Sequence, residues 1–299
     1  MANPGERSMT ALRDTAWAKL NLTLEVLGRR ADGFHELQSL VAFAGLGDTV
    51  ELDPSALFEL AVEGPFAGAL GGDNLIVKAA QAASATHPGL KLGRFLLIKV
   101  LPVAAGLGGG SADAAAALRL IGSANDGALS EADLALIAPR LGSDVSACLK
   151  SRPALMTGRG EIVSGVRGFP PFGVLLANPR LPLATEAVYA ALNAAPLPVS
   201  PANAPEPPDF AGSFEWLLDY LAPRGNDLEA PAMRLAPAIK PVLAALAGLE
   251  GARLVRLSGS GPTCFALFAT ADEAERGAAA LARSHPEWWI AASALGATR

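Results

Sequence analysis

A run of glycines between an apolar segment and an alanine-rich segment restricts the fold of this chain more than any other feature. Residues 94–101 are mostly apolar and short enough for a strand, whereas alanines dominate residues 112–121, as is typical of a helix. Gly106-Leu-Gly-Gly-Gly-Ser111 joins the two segments. The sequence therefore predicts a strand, a tight glycine-rich turn and a helix in immediate succession.

This turn has the physical properties of a phosphate site. Glycine has no Cβ, so the backbone can adopt positive φ and approach a ligand closely. The first N–H groups of the following helix have no intrahelical partner, and the helix dipole favours a negative charge there. Each charge-assisted hydrogen bond to a phosphate contributes roughly 1.5–3 kcal/mol. The Ser111 hydroxyl could add a donor or reach a phosphate-bound magnesium ion.

The turn differs from two common phosphate signatures. It lacks the Gly-Lys-Ser/Thr ending of a Walker A loop, and Ser111 stands where the dinucleotide fingerprint has glycine or alanine. A flexible turn before a helix is the alternative interpretation, because glycines often only punctuate structure. Four glycines and a serine at a strand-to-helix junction favour the phosphate site.

Composition excludes several classes of protein. The chain has 299 residues, of which 51% are apolar and 18% charged, so it can form packed cores in about two domains. A net charge of -5 without a dense basic run argues against general nucleic-acid binding. No signal-peptide core or membrane-length apolar segment is recognisable. Cys148 and Cys264 form no metal-like pair and are predicted to be buried thiols. We therefore expect a cytoplasmic protein with neither a membrane nor a nucleic-acid partner.

The rest of the chain predicts an α+β arrangement. The alternation of residues 16–27 indicates one half-buried strand, and residues 39–52 indicate another strand that is broken at 45–48. A domain boundary is expected near 160–172, and prolines indicate a surface loop at 194–212. Further helices are predicted at 74–85, 130–141, 185–194, 213–222, 227–249 and 271–284, and further strands at 173–178, 252–258, 263–269 and 287–292.

Several segments together resemble the GHMP kinases, the family that includes galactokinase, homoserine kinase and mevalonate kinase. The glycine-rich turn resembles the second motif of that family. The other matching segments, in family order, are Ala18-Lys-Leu-Asn-Leu22, Arg30-Ala-Asp-Gly-Phe-His35, Gly47-Asp48, Asp73-Asn-Leu-Ile76, Leu141-Gly-Ser-Asp144, Gly158-Arg-Gly-Glu161, Asn226-Asp-Leu-Glu229 and Ser258-Gly-Ser-Gly-Pro-Thr263. The segment at 30–35 looks specific to a branch that recognises a cytidyl group.

The resemblance implies a two-domain GHMP kinase fold with the active site in the interdomain cleft. The implied division is an N-terminal ATP-binding domain at 1–165 and a C-terminal domain at 166–299. The implied reaction transfers phosphate from ATP, with Mg²⁺, to the 2-hydroxyl of a polyol linked to cytidine diphosphate, in non-mevalonate isoprenoid precursor synthesis. The small-molecule substrate is the expected partner, and the protein is expected to be a monomer or a weak homodimer.

The resemblance also implies roles for individual residues. Asp144 corresponds to the general base, and Lys19 to the cation that stabilises charge at the reacting oxygen. The implied acceptor-binding residues are Asn21, Phe34, His35, Thr185 and Tyr189. The implied ATP-binding residues are Asn74, Lys99, Pro102, Ala105, Gly106, Leu107, Gly108, Gly109, Gly110 and Ser111, with Asn74 and Lys99 in the adenosine pocket.

Within the implied acceptor site, His35 would hydrogen-bond the cytosine edge while Phe34 and Tyr189 stack on its two faces. Stacking of a base on an aromatic ring contributes roughly 1–3 kcal/mol. The alternative interpretation is that these rings belong to the local core.

Other residues also have structural alternatives. Lys19 and Asn21 could lie on an ordinary solvated strand face, and Asp144 could simply cap a helix. The segment Gly259-Ser-Gly261 is as compatible with a hairpin turn as with substrate phosphate. Rival functions are a different GHMP kinase and a silent nucleotide-binding protein on the same scaffold.

Two residues depart from the family pattern. Trp17 stands where the family usually has proline, and Ala112 replaces a second serine after the glycines. The second change removes one candidate hydroxyl, so the metal ligands stay open.

Overall fold

The computed structural model describes residues 11–197 and 205–295. In chain order the elements are β1 (Leu12–Asn21), β2 (Glu25–Arg29), β3 (His35–Asp53), β4 (Glu59–Glu63), α1 (Leu75–Thr86), β5 (Arg94–Ile98), α2 (Gly109–Ala124), α3 (Glu131–Leu141), α4 (Val145–Lys150), β6 (Ala154–Thr157), β7 (Ile162–Gly165), β8 (Phe172–Asn178), α5 (Thr185–Leu192), α6 (Phe214–Leu221), α7 (Glu229–Leu235), α8 (Ile239–Ala247), β9 (Leu254–Leu257), β10 (Cys264–Phe268), α9 (Ala271–Ser284) and β11 (Trp289–Leu295). The predicted α+β class is confirmed.

Strand β3 organises the sheet. Its 19 residues pair antiparallel with β1, β2, β5 and β6. Ala44 in its middle pairs with Leu295 of β11, and from β11 the sheet continues through β8 and β10 to β9. Within the described ranges, this one residue pair joins the two parts of the sheet, which belong to the two halves of the chain.

The break predicted in the middle of β3 is wrong because its glycine serves close packing rather than a turn. A Cβ on Gly47 would lie only 2.3 Å from the carbonyl oxygen of Ala16 in β1. The next residue, Asp48, is fully buried. One oxygen of its carboxylate accepts hydrogen bonds from the backbone N–H groups of Val100 (2.6 Å) and Leu101 (2.8 Å). The motif therefore joins β3 to its neighbours while the strand continues.

The strand predicted for residues 16–27 is two strands, since β1 ends at Asn21 and β2 begins at Glu25. The polar positions there are as buried as the apolar ones, with Lys19 at 3% and Thr23 at 1% relative exposure. The alternation does not distinguish a buried face from a solvent-exposed face, because other parts of the chain cover the polar side chains.

Two predicted helices have different bounds. The helix predicted for 227–249 is divided into α7 and α8, and Pro237 lies between them. Proline has no N–H to donate to the preceding turn, so it favours an interruption. Helix α2 begins at Gly109 rather than at residue 112, so two glycines of the turn belong to its first turn. The short edge strand β4 was not predicted.

Three apolar clusters surround the sheet. The first consists of N-terminal residues, including the packed faces of α1 and α2. The third is formed almost entirely by C-terminal residues. The middle cluster combines Leu20 and Leu22 of the N-terminal half with Phe172 and Phe265 of the C-terminal half. The two halves therefore share part of their interior, and a domain division at 165/166 stays a prediction.

Some predictions concern parts of the chain that the structure does not describe. The N-terminal segment 1–10 and part of the predicted loop at 194–212 lie outside the described residues. Among the helices of the described ranges, none combines the length and apolarity needed to cross a bilayer. Cys148 and Cys264 are buried free thiols, as predicted, and burial raises the pKa of both.

The shared core makes a prediction about stability. Leu267 is fully buried in the middle cluster, whereas Leu57 is 91% exposed. We expect Leu267→Ala to lower the free energy of unfolding by about 2–5 kcal/mol, since it removes buried methyl groups and leaves a cavity. The matched control Leu57→Ala should change it by less than about 0.5 kcal/mol. Urea denaturation followed by circular dichroism measures both, and equal effects would contradict this assignment of the core.

Candidate active site

A cleft of about 1000 Å³ lies between the glycine-rich turn, β1, the turn after β2 and helix α5. Nearly all the predicted site residues line it: Lys19, Asn21, Phe34, His35, Asn74, Lys99, Pro102, Ala105, Gly106, Gly108, Gly109, Gly110, Ser111, Asp144, Thr185 and Tyr189. The exception is Leu107, whose side chain is buried in the middle cluster. The structure therefore brings the three predicted groups of residues together around one space.

At the centre of the cleft, Lys19 and Asp144 form a short ion pair. The Lys19 Nζ lies 2.9 Å from Asp144 Oδ2, and the two side chains are 4% and 32% exposed. Asp144 occupies the N-cap position of α4, but its side chain makes no capping hydrogen bond. The interpretation as a simple helix cap is therefore wrong, because the carboxylate faces the lysine and the cleft instead.

A buried hydrogen-bond chain orients this lysine. Lys19 Nζ donates to Asn21 Oδ1 at 2.9 Å, and Asn21 Nδ2 donates to Ser39 Oγ at 2.8 Å. Asn21 is only 5% exposed. The interpretation as a solvated strand face is thus wrong for both Lys19 and Asn21. A buried ammonium needs such partners, since an unpaired charge in the interior is costly.

The glycine-rich turn passes directly over the ion pair. Gly106 and Gly108 have φ of 73° and 61°, in the left-handed region that favours glycine. A Cβ on Gly108 would lie 3.2 Å from Lys19 Cβ and Cε, and 3.5 Å from Asp144 Oδ2. The Lys19 N–H donates to the Leu107 carbonyl oxygen at 2.9 Å, so Leu107 contributes through its backbone. Strand β1 and the turn are therefore held in register.

The N-terminus of α2 fits a polyphosphate. Gly108 is its N-cap, and no side chain caps the first turn. The N–H groups of the first turn have no intrahelical acceptor, so they can donate to an anion. Ser111 is half-buried and lines the cleft beside them. Glycines at 108–110 leave the space that the backbone needs to approach a ligand.

The second glycine cluster packs against the first. Ser258 Oγ donates to the Gly106 carbonyl oxygen at 2.9 Å, and a Cβ on Gly106 would lie 2.2 Å from the Ser258 carbonyl oxygen. Gly259 approaches both Gly106 and Asn21, since its Cβ would lie 3.1 Å from Asn21 Oδ1. The segment is therefore more than a hairpin turn, because it supports the phosphate turn and also lines the cleft.

A second buried lysine lies beneath the first turn of α2. Lys99 Nζ lies 2.6 Å from Asp48 Oδ2 and 2.7 Å from Asp113 Oδ2. Burial raises the pKa of Asp113 to about 7, although the neighbouring Lys99 ammonium opposes the shift. A Cβ on Gly109 would lie 3.1 Å from Lys99 Nζ. The ammonium is thus committed to two carboxylates, and a direct contact with adenosine stays a prediction.

Asn74, the other residue predicted for adenosine, has a local structural role. Its Oδ1 accepts a hydrogen bond from the Ile76 N–H at 2.8 Å and so caps α1. The residue also lines the cleft. Capping uses the amide oxygen, which leaves its nitrogen as the remaining donor for a ligand.

Aromatic side chains form the far end of the cleft. The rings of His35 and Tyr189 lie 4.8 Å apart, and Phe34 is 51% exposed. Burial and then the Asp144 charge raise the pKa of Tyr189. Thr185, at the start of α5, shares a hydrogen bond of 2.9 Å with Ser260. Phe34 is therefore not a core residue, whereas Tyr189 both packs against the third cluster and faces the cleft.

Oxygen donors near the phosphate turn determine whether magnesium fits. Among the described residues, no group of three or more His, Cys, Asp or Glu side chains could hold a metal ion. Mg²⁺ commonly binds through one or two protein ligands together with substrate phosphates and water. The Ser111 hydroxyl and the Asp144 carboxylate offer such oxygens on the cleft wall. The donor set fits an ion held mainly by ATP.

Comparison with known proteins identifies the family. Residues 74–152 match the GHMP kinases N terminal domain, and residues 208–287 match the GHMP kinases C terminal domain. A 4-diphosphocytidyl-2-C-methyl-D-erythritol kinase of Methylobacterium radiotolerans is 49% identical over 291 residues, covering 96% of this chain and 100% of that relative. The chain belongs to the GHMP kinase family. The resemblance recognised from its motifs is thereby confirmed.

Solved structures agree with this assignment. A crystal structure of 4-(cytidine 5'-diphospho)-2C-methyl-D-erythritol kinase superimposes with a TM-score of 0.74 at 34% identity, covering 96% of this chain and 100% of that chain. Homoserine kinase from Cytophaga hutchinsonii has a TM-score of 0.66 at 17% identity, with 99% and 98% covered. The second similarity shows only that this GHMP kinase has the fold of its family.

Several residues that build the site carried no role in the sequence analysis. Ser39 anchors Asn21, and no local pattern distinguishes it from other serines. Ser258 anchors the turn and lies in a motif that matched the family, but the motif gave it no role. Asp113 lies within the alanine-rich helix, where an isolated carboxylate was the one available signal. Arg29 and Arg159 line the cleft beside the aromatic rings. Arg159 lies inside a motif that matched the family, but the motif alone gave it no function.

The close approach at Gly108 predicts a loss of activity without loss of the fold. In Gly108→Ala the methyl group would contact Lys19 and displace the turn by a few tenths of an ångström or more. We expect kcat/KM to fall by about tenfold to a hundredfold, since misplacing reacting groups by about 1 Å can cost 10²-fold. Gly127→Ala is the control, because its φ of 75° imposes the same strain in open space. Equal activity of the two variants would contradict the proposed contact.

The partly buried environment of His35 makes a prediction about its charge. Burial lowers the pKa of His35, and the nearby Arg29 charge lowers it further. The ring should therefore be neutral at pH 7 and become protonated only below its ordinary value of about 6.5. His35 takes up a proton less readily in the folded chain than in the unfolded chain. The free energy of unfolding should therefore decrease as pH falls through that value. NMR titration of the three histidines, with His35→Gln to assign the signal, measures the pKa. A midpoint above 6.5 would contradict this environment.

Proposed function

We propose that this GHMP kinase transfers the γ-phosphate of ATP to the 2-hydroxyl of 4-diphosphocytidyl-2-C-methyl-D-erythritol, in isoprenoid precursor synthesis. The observation that carries the proposal is the Lys19–Asp144 pair at 2.9 Å, directly beneath the glycine-rich turn and in the same cleft as an aromatic pocket. The Methylobacterium radiotolerans relative, which is 49% identical over 96% of this chain, bears the name of this activity.

Asp144 acts as the general base in this proposal. A hydroxyl is a poor nucleophile until it loses its proton, and the partly exposed Asp144 carboxylate can accept that proton. The hydroxyl oxygen then forms the new bond to the γ-phosphorus, while the bond from the γ-phosphorus to the β,γ-bridging oxygen breaks and ADP leaves. Lys19 stabilises the negative charge that develops at the reacting oxygens.

The phosphate turn holds the other reactant. The free N–H groups at the start of α2 bind the phosphates of ATP, and their preorganised dipoles require no rearrangement during transfer. Magnesium, bound mainly by ATP and by oxygens such as that of Ser111, would neutralise charge on the phosphates. Asn74 and Lys99 line the same cleft, and we propose that they lie beside the nucleoside of ATP.

In this proposal, the aromatic end of the cleft binds the cytidyl group of the acceptor. Phe34 offers an exposed ring, and Tyr189 on α5 lines the same cleft. A cytosine stacked between them would place its edge against the neutral His35, which can donate or accept a hydrogen bond. Homoserine and mevalonate have no base to fill this pocket, so the aromatic pocket favours the cytidyl acceptor.

The proposal extends to the domains, the location and the oligomeric state of the protein. We propose an N-terminal ATP-binding domain at 1–165 and a C-terminal domain at 166–299, because β7 ends at Gly165 and the next strand belongs to the C-terminal part of the sheet. Buried free cysteines suit a reducing cytoplasm. We propose that the enzyme works there as a monomer or a weak homodimer, without nucleic acid.

A substrate panel tests the function. Purified enzyme with magnesium and ATP should release ADP with 4-diphosphocytidyl-2-C-methyl-D-erythritol and not with homoserine or mevalonate. Asp144→Asn should lower kcat by at least about a hundredfold, the scale of general-base removal, while ATP still binds. Turnover of another acceptor would favour a different member of the family. ATP binding without turnover of any acceptor would favour a silent nucleotide-binding protein.

A further inference from the structure

Two arginines at the aromatic end of the cleft differ from its other cations. Lys19 and Lys99 also line the cleft, but each has a carboxylate oxygen within 2.9 Å. Arg159 Nε lies 3.9 Å from the nearest oxygen of Glu161, and Arg29 makes no ion pair with any residue in the described ranges. The two guanidinium groups are therefore the cations of this cleft that remain available to an anionic ligand.

Arg29 stands beside the histidine of the pocket. It ends β2 and pairs directly with His35 in the antiparallel ladder. Residues directly opposite each other in such a ladder project from the same face of the sheet. His35 contacts Tyr189 in the cleft, and the positive charge of Arg29 helps to lower the pKa of His35 after burial. Arg29 therefore projects toward the space beside the aromatic rings.

Arg159 reaches the same end of the cleft from the β6–β7 turn. Gly158 and Gly160 adopt φ of 72° and 109°, which give the turn its shape. The Leu37 N–H donates to the Gly158 carbonyl oxygen at 2.8 Å and fastens the turn to β3. The Arg159 guanidinium carbon lies 4.6 Å from the centre of the Phe34 ring. The backbone thus holds this cation against the exposed ring of the pocket.

We propose that Arg29 and Arg159 bind the diphosphate of the acceptor and select for it. This inference rests on the function proposed above. A nucleoside diphosphate places its negative charges one ribose away from its base. The two arginines line the same cleft as Phe34, His35 and Tyr189, which are the base-binding residues of the function proposed above. Guanidinium groups match phosphate oxygens in bidentate geometry. The free N–H groups of α2 and Lys19 serve the transferred phosphate instead, so the two anionic groups have separate partners.

A purely structural role for Arg159 predicts something different. If the guanidinium only held the Phe34 ring in place, its removal would weaken the binding of a bare nucleoside as much as that of a nucleotide. If it binds the diphosphate, the loss should depend on the phosphates. The difference between cytidine and cytidine diphosphate therefore separates the two roles.

Calorimetric titration of the full chain tests the proposal. Arg29→Gln and Arg159→Gln would be titrated with cytidine diphosphate and with cytidine, with a non-hydrolysable ATP analogue already filling the phosphate turn. Each variant should raise the dissociation constant of cytidine diphosphate by at least about tenfold, the scale of one charge-assisted hydrogen bond. The dissociation constant of cytidine should rise by less than about twofold. KM for the acceptor should rise by the same factor as the dissociation constant, with affinity for the ATP analogue unchanged.

Arg152→Gln is the matched control, because Arg152 is exposed just before β6 and does not line the cleft. Equal losses for both ligands, or no loss for cytidine diphosphate, would overturn the assignment of the arginines while wild-type turnover stands. If the wild type itself failed to phosphorylate the cytidyl acceptor, the proposed function would fall instead. Circular dichroism melting confirms that each variant is folded before titration.

Discussion

The contact between the Lys19 ammonium and the Asp144 carboxylate determines how the rest of this structure must be arranged. A lysine that is only 3% exposed is tolerable because Asn21 and Asp144 both compensate its charge. Those partners come from β1 and from the start of α4, and the turn above them is fixed by the hydrogen bond from Lys19 N–H to Leu107. Three segments far apart in sequence therefore have to converge before the charge can be buried.

The two buried lysines of the cleft show how burial separates a reactive group from a supporting one. Lys99 is enclosed with Asp48 and Asp113, and all three residues are at most 2% exposed. The two carboxylates therefore compensate its charge inside the protein. Lys19 is paired with a carboxylate that is 32% exposed and therefore open to a ligand. The same residue type thus supports the fold beneath α2 and faces the chemistry beside it, and the exposure of the partner makes the difference.

Local patterns predicted part of this structure well. The strand, glycine turn and alanine-rich helix follow from short-range preferences, and the helix predicted at 130–141 is confirmed as α3, which begins with a capping box at Ser130 and Asp133. The break in β3 and the single helix at 227–249 were wrong for different reasons. Gly47 is required by a neighbouring strand distant in sequence, which no local pattern reveals. Pro237 was a local signal whose effect was underestimated.

The site was predictable only in part. Periodicity favoured a solvated face for Lys19 and Asn21, and only the family motif indicated a role, because burial depends on segments that arrive from elsewhere. Leu107 acts through its carbonyl, which sequence does not distinguish from any other. Arg29 and Arg159 meet the same pocket from two separate hairpins, so their relation exists only in the folded chain.

The glycine-rich turn is fastened on two sides. Leu107 bonds β1, while the Gly106 carbonyl oxygen accepts from Ser258 and the Ala105 carbonyl oxygen accepts from the Thr263 N–H at 3.2 Å. These anchors belong to opposite halves of the chain. A fragment cut between the halves would expose its part of the middle cluster and would lose one side of the nucleotide cradle. The sites for ATP and for the acceptor therefore cannot be separated by truncation, and an enzyme that lacks one half would lose the binding of both substrates.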